Sequence, residues 1–96
     1  MKKVLITEFM EQDSVDKISQ NFDVIYDTSL HENHANLSYL IADTDAVIVR
    51  NKTQLTEELL LKAKQLTFVG RLGVGLDNID TGYCSRIILS FSQQLV

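Results

Sequence analysis

The sequence predicts an α/β fold, an open parallel sheet with helices on both faces, and two observations point to it. Four short runs, Val4-Leu5-Ile6-Thr7, Asp23-Val24-Ile25-Tyr26, Ala46-Val47-Ile48-Val49 and Thr67-Phe68-Val69, alternate with segments that carry apolar residues at helical spacing. The runs are also close to continuously apolar, as strands buried on both faces are, which puts them in a parallel sheet between helix layers. Strands alternating with single helices connect by right-handed crossovers, and repeated crossovers build an open, doubly wound sheet.

Each helix is read from its stripe. Val15, Ile18 and Phe22 recur at i, i+3 and i+7, and Leu37, Leu40 and Ile41 at i, i+3 and i+4. The third helix has the clearest start: Thr56 suits an N-cap, Glu57 and Glu58 suit the positive end of the dipole, and Leu55 is placed to staple onto Leu60. It is expected to run to Lys64 or Gln65. Composition then changes. All 13 acidic residues lie at or before Asp80, and from Ile87 to the end the chain carries no charge. Residues 87–91 suit a fifth strand, while the remainder has no helical stripe and reads as a truncated or foreign tail. The expected organisation is the N-terminal part of one domain over 1–86, a tail over 87–96, and no cofactor-binding domain.

Length and composition exclude several functions. With 96 residues there is room for one core, and shares of 45% hydrophobic and 23% charged residues are those of an ordinary folded domain. A net charge of -4 and a pI of about 4.9 argue against a nucleic-acid partner, which calls for a clustered basic face. No apolar run approaches the ~20 residues needed to span a bilayer, and the apolar stretch after Met1-Lys2-Lys3 is too short for a signal peptide. A cytoplasmic protein without a membrane partner is therefore expected. Cys84 is the single cysteine, with no base near it in sequence, and is read as a packed thiol. His31 and His34 are read as solvated loop or helix-start residues, so no metal site is expected.

Two segments are candidates for binding. Gly70, Gly73, Gly75 and Gly82 crowd the stretch after the fourth strand and mark a loop where backbone turns tightly or approaches something closely. Gly73-Val74-Gly75 does not complete a dinucleotide fingerprint: Asn78 holds the third position, the motif follows the fourth strand instead of the first, and no acidic residue follows at ribose distance. Two readings remain open for it, a nest of backbone N–H groups that suits a carboxylate and a tight loop that holds nothing. The second segment is Arg50-Asn51-Lys52-Thr53, after the third strand and so at the same end of the sheet. Arg50 offers a planar fork for a carboxylate, with Asn51 or Thr53 adding polar contacts, although an arginine there equally serves as a solvated or salt-bridged residue. Glu8, after the first strand, is read as a solvated carboxylate.

These segments carry a family resemblance. Val4-Leu5-Ile6-Thr7-Glu8, Asp45-Ala46-Val47-Ile48-Val49-Arg50-Asn51-Lys52-Thr53 and Phe68-Val69-Gly70-Arg71-Leu72-Gly73-Val74-Gly75-Leu76-Asp77-Asn78-Ile79-Asp80 resemble the start of an NAD-dependent D-2-hydroxyacid dehydrogenase of the phosphoglycerate dehydrogenase type. The resemblance covers residues 2 to about 86 and implies a flavodoxin-like substrate domain. It implies that the backbone at Val74 and Gly75 and the side chain of Arg50 hold the carboxylate of a small 2-hydroxy or 2-oxo acid, with Asn51 and Leu72 as neighbours. It also implies NAD for the full-length enzyme, but the family's glycine loop, ribose-binding acid and catalytic Arg, Glu and His have no matching position here, and from about Ser85 the chain departs from the family pattern. The expectation is therefore a dehydrogenase fragment with part of the substrate site, no catalytic residues and no cofactor of its own, inactive alone. Alternatives are one chain of a split two-chain dehydrogenase and a non-enzymatic α/β interaction module. A homodimer formed partly through the uncharged tail is the expected assembly.

Overall fold

The computed structural model describes residues 1–72, 78 and 79, and the backbone of residues 90–94. Its elements are β1 (Lys3–Ile6), α1 (Gln12–Ser19), β2 (Asp23–Tyr26), a 3₁₀ turn (Leu30–Glu32), α2 (His34–Ile41), β3 (Ala46–Val49), α3 (Glu57–Leu60), β4 (Phe68–Leu72) and β5 (Ser90–Gln94). The strands form one sheet in the order β2-β1-β3-β4-β5, with every neighbouring pair parallel.

Alternation along the strands divides the core in two. Leu5, Val47, Val49 and Val69 join Leu37 and Ile41 of α2, Leu59 and Leu60 of α3, Leu30 of the 3₁₀ turn and Leu55 ahead of α3. Val4 and Ile6 face the other way, with Met10 and with Val15 of α1, and are flanked by Ile18, Val24, Tyr26, Ala46, Ile48 and Leu72. Helices therefore cover both faces, as expected. Each large apolar side chain so enclosed contributes roughly 1.5–3 kcal/mol through burial, and the strands, the helices and the segments between them all supply such residues. Among the described residues no helix is long and apolar enough to cross a membrane.

The structure corrects several boundaries. β2 is exposed or half-buried along its length, because it is an edge strand with one neighbour. Phe22 lies beyond α1 and is 39% exposed: the helix closes at Gln20, and Asp23 N–H already bonds Lys2 to start the sheet. α3 stops at Leu60, short of Lys64. Beyond it, Lys62 and Ala63 N–H groups bond the carbonyls of Leu59 and Leu60, three residues back, and this tighter winding sets Leu60, Ala63 and Leu66 on one buried line. Its start is as expected, since the Thr56 hydroxyl accepts from Leu59 N–H. A second cap, Asn33 accepting from Asn36 N–H at 3.1 Å, opens α2.

β4 is longer than its apolar run, so Gly70 is a mid-strand residue opposite Ile48 and Ser92, not part of a loop. A Cβ there would stand 3.2 Å from Cε2 of Phe68, and its absence gives that ring its place. The fifth strand is observed at Ser90–Gln94, later than 87–91. Residues 73–77, which include Gly73, Val74 and Gly75, lie outside the described residues, as do Gly82, Cys84 and residues 87–89.

Candidate functional site

β1 and β3 lie side by side, yet the chain leaves β1 towards β2 and comes back to β3 on the other side. Connections diverging from neighbouring strands open a crevice beyond their C-terminal ends, the place where open α/β sheets bind ligands. Here it is bounded by Thr7 and Glu8 after β1 and by Arg50, Asn51, Lys52 and Thr53 after β3.

Glu8 is not solvated: it is 4% exposed and its carboxylate fills the turn after β3. Oε2 accepts from the N–H groups of Arg50 at 2.8 Å and Thr53 at 2.9 Å, and Oε1 from Lys52 N–H at 3.0 Å. Burial pushes this carboxyl up, but the backbone and hydroxyl of Thr53 and the N–H groups of Arg50 and Lys52 outweigh it and hold it below its ordinary value. Thr53 is fully buried, its hydroxyl 2.7 Å from that of Thr7, so it serves this internal network and not a ligand.

The carbonyls of the same turn are held from the other side. Asn78 is buried, and its Nδ2 donates to the Arg50 oxygen at 2.7 Å and the Thr53 oxygen at 2.8 Å. Its own carbonyl accepts from Leu55 N–H at 2.7 Å, and Leu55 pairs in parallel with Ile79. Neither Glu8 nor Asn78 was singled out as a site residue from the sequence. The available signal was positional: an acidic residue directly after the first strand stands at the sheet end where the third-strand turn also lies.

With its backbone fixed, Arg50 presents its side chain to two cavities. One of about 580 Å³ is lined by Met10, Ile18, Ile48, Gly70 and Leu72 as well as Arg50. The other, about 310 Å³, is lined by Glu8, Thr28, His31, Arg50, Asn51 and Lys52. The fold thus brings Arg50 and Leu72 to one hollow and Arg50 and Asn51 to its neighbour, while Val74 and Gly75 fall outside the described residues. Among the described residues the Arg50 guanidinium has no hydrogen bond or ion pair. His34 begins α2 and is exposed, whereas the His31 side chain is only 17% exposed, against the solvated reading, and lies 3.6 Å from Glu32. Among the described residues no three His, Cys, Asp or Glu side chains are grouped to hold a metal.

The turn after β1 carries no glycine. The pyrophosphate of a dinucleotide needs a glycine-rich turn there with free N–H donors. The chain there reads Thr7-Glu8-Phe9-Met10, and the donors of the neighbouring turn are taken by a carboxylate whose charge opposes phosphate.

An all-parallel α/β domain with an arginine at its switch-point crevice defines the general class. The family follows from comparison: the chain belongs to the D-isomer specific 2-hydroxyacid dehydrogenases, whose catalytic-domain model matches residues 4–89. Members of the family are NAD-dependent. Over 84 residues the chain is 44% identical to (S)-sulfolactate dehydrogenase of Chromohalobacter salexigens, covering 88% of this chain and 27% of that protein. Over 86 residues it is 35% identical to D-3-phosphoglycerate dehydrogenase of Synechocystis, covering 90% of this chain and 15% of that protein. A solved protein of Pyrococcus horikoshii shares the fold, with a TM-score of 0.86 and 23% identity over 98% of this chain and 28% of that one. The chain thus spans about a quarter or less of the relatives it matches.

Proposed function

We propose that this chain forms the N-terminal part of the substrate domain of an NAD-dependent D-2-hydroxyacid dehydrogenase. In this reading Arg50 and the backbone at Val74 and Gly75 hold the carboxylate of a small 2-hydroxy or 2-oxo acid, with Asn51 and Leu72 beside them. The observation that supports it is the Arg50 guanidinium, left without a partner among the described residues at the wall of two cavities beyond β3. Such a fork binds a carboxylate through two parallel hydrogen bonds. The relatives named for sulfolactate and phosphoglycerate act on acids with a second anionic group, and the substrate proposed here is of that small, anionic class.

The chain's own share of the chemistry is binding and orientation. Hydride transfer needs a nicotinamide placed against the substrate carbon and a general acid/base beside it. Because the switch-point donors are already engaged by Glu8, we take these residues alone to hold no NAD and to support no turnover. The same reading has two copies associate through the uncharged segment from Ile87, of which β5 forms the sheet edge.

The test is a titration of the ¹⁵N-labelled chain with D-glycerate, followed by amide shifts, and a parallel titration with NADH followed by fluorescence. D-glycerate should bind with about millimolar affinity, as one open clamp allows, and Arg50→Ala should weaken it at least ~10-fold. NADH should not saturate. D-glycerate binding indifferent to Arg50→Ala would refute the clamp, and saturable NADH binding would refute the absence of a cofactor site.

A further inference from the structure

A carboxylate received by three backbone N–H groups is the arrangement expected of a bound ligand, yet here the anion belongs to the chain. Glu8 reaches Arg50, Lys52 and Thr53 from a strand more than forty residues earlier, at separations of 42, 44 and 45 residues. Three convergent donors form a nest that attracts whichever anion is at hand. With Glu8 in place an external carboxylate has no access to those donors, and Arg50 can meet it only through its guanidinium.

We propose that Glu8 is a positioning residue for the Arg50 clamp: its carboxylate is a permanent internal anion that fills the nest at Arg50, Lys52 and Thr53, and so sets the direction in which the Arg50 side chain leaves the sheet. The proposal rests on the reading of Arg50 as a substrate contact, while Glu8 itself touches no substrate. Two features carry it. Arg50 donates its own N–H to Glu8 Oε2, so a shift of that carboxylate moves the Cα from which the side chain springs. The opposite side of the turn is pinned by Asn78 on the Arg50 and Thr53 oxygens, so the carboxylate and the amide together define one conformation.

The charged groups around Glu8 are Arg50 and Lys52 from the turn after β3 and His31 from the 3₁₀ turn, all on the wall of one cavity. Asp27, next to Thr28 of that wall, is engaged by the N–H and hydroxyl of Ser29. Folding lowers the Glu8 carboxyl below its ordinary 4.5. The hold on the turn is therefore complete above that value and is lost as pH falls through the lowered one.

The experiment uses the whole 96-residue chain, ¹⁵N-labelled. Between about pH 7 and about pH 3 the amides of Arg50, Lys52 and Thr53 should move together with one midpoint below the glutamate range. Glu8→Gln, which keeps the side chain's shape, should abolish that shared transition and weaken D-glycerate at least ~10-fold. Glu8→Ala should vacate the nest, and added formate should then return the three amides towards their wild-type positions. Amides that titrate separately, or at the ordinary glutamate value, overturn the proposal even if neither variant folds. So does a folded Glu8→Gln variant whose three amides still titrate together, or a folded Glu8→Ala variant that ignores formate. If the three amides titrate together while Arg50→Ala leaves D-glycerate binding unchanged, the substrate reading fails and the internal anion stands.

Discussion

Asn78 meets two carbonyls with one amide, and nothing in its neighbourhood of sequence announces this. Its partners lie 28 and 25 residues earlier, at Arg50 and Thr53, just as those of Glu8 lie more than forty residues later. A polar side chain beside a strand reads as solvated until the fold brings it a buried partner, which is why Arg50 could be singled out as a candidate while the two residues that hold its turn could not. Asn78→Ala would leave both carbonyls without their donor, and at about 1–1.5 kcal/mol for each hydrogen bond it should cost roughly 2–3 kcal/mol. Urea denaturation measures this directly. Asn78→Asp should cost more at neutral pH, since a carboxylate oxygen would then face two carbonyl oxygens. A loss below about 0.5 kcal/mol for the alanine variant would show that water replaces the amide at no cost.

Among the elements, α3 shows what a local pattern reveals and what it hides. Its beginning was legible because capping is chemistry between neighbours: Thr56 accepts from Leu59 three residues on. Its end was not, because the tighter winding that follows is set by the burial of Ala63 and Leu66 against the sheet. A single turn of four helical residues is too short to persist on its own, so cap and packing hold it together. Thr56→Ala should therefore lower stability by about 1 kcal/mol, read as a shift in the urea midpoint at unchanged slope. An unchanged midpoint would mean that packing alone fixes the helix start. In the strands the same division appears. β1 and β3 declare themselves by continuous apolar runs, whereas β4 continues through Gly70 and Arg71, residues whose strand character comes from pairing with Ile48 and Val49.

For the whole molecule, the order β2-β1-β3-β4-β5 leaves β5 on the edge of the sheet, in a segment that carries no charge from Ile87 onward. Edge strands without charges pair readily with further strands. Light scattering at high protein concentration should accordingly show a dimer or larger species, and Ser92→Lys, which places a charge on that edge, should shift it towards monomer. A monomer alone at every concentration would refute self-association through this segment. The sheet order was legible as a class, since alternating strands and helices impose it, but the crevice that results depends on which strands become neighbours. β1 pairs with both β2 and β3, and the amides that donate to Glu8 lie 42, 44 and 45 residues further along the chain. Closing such long loops is slow compared with local structure. Until it happens, Glu8 stands in water at the tip of an apolar strand, where a negative charge discourages the strand from pairing with a stranger. The carboxylate buried in the native crevice would thus serve the unfolded chain as a gatekeeper.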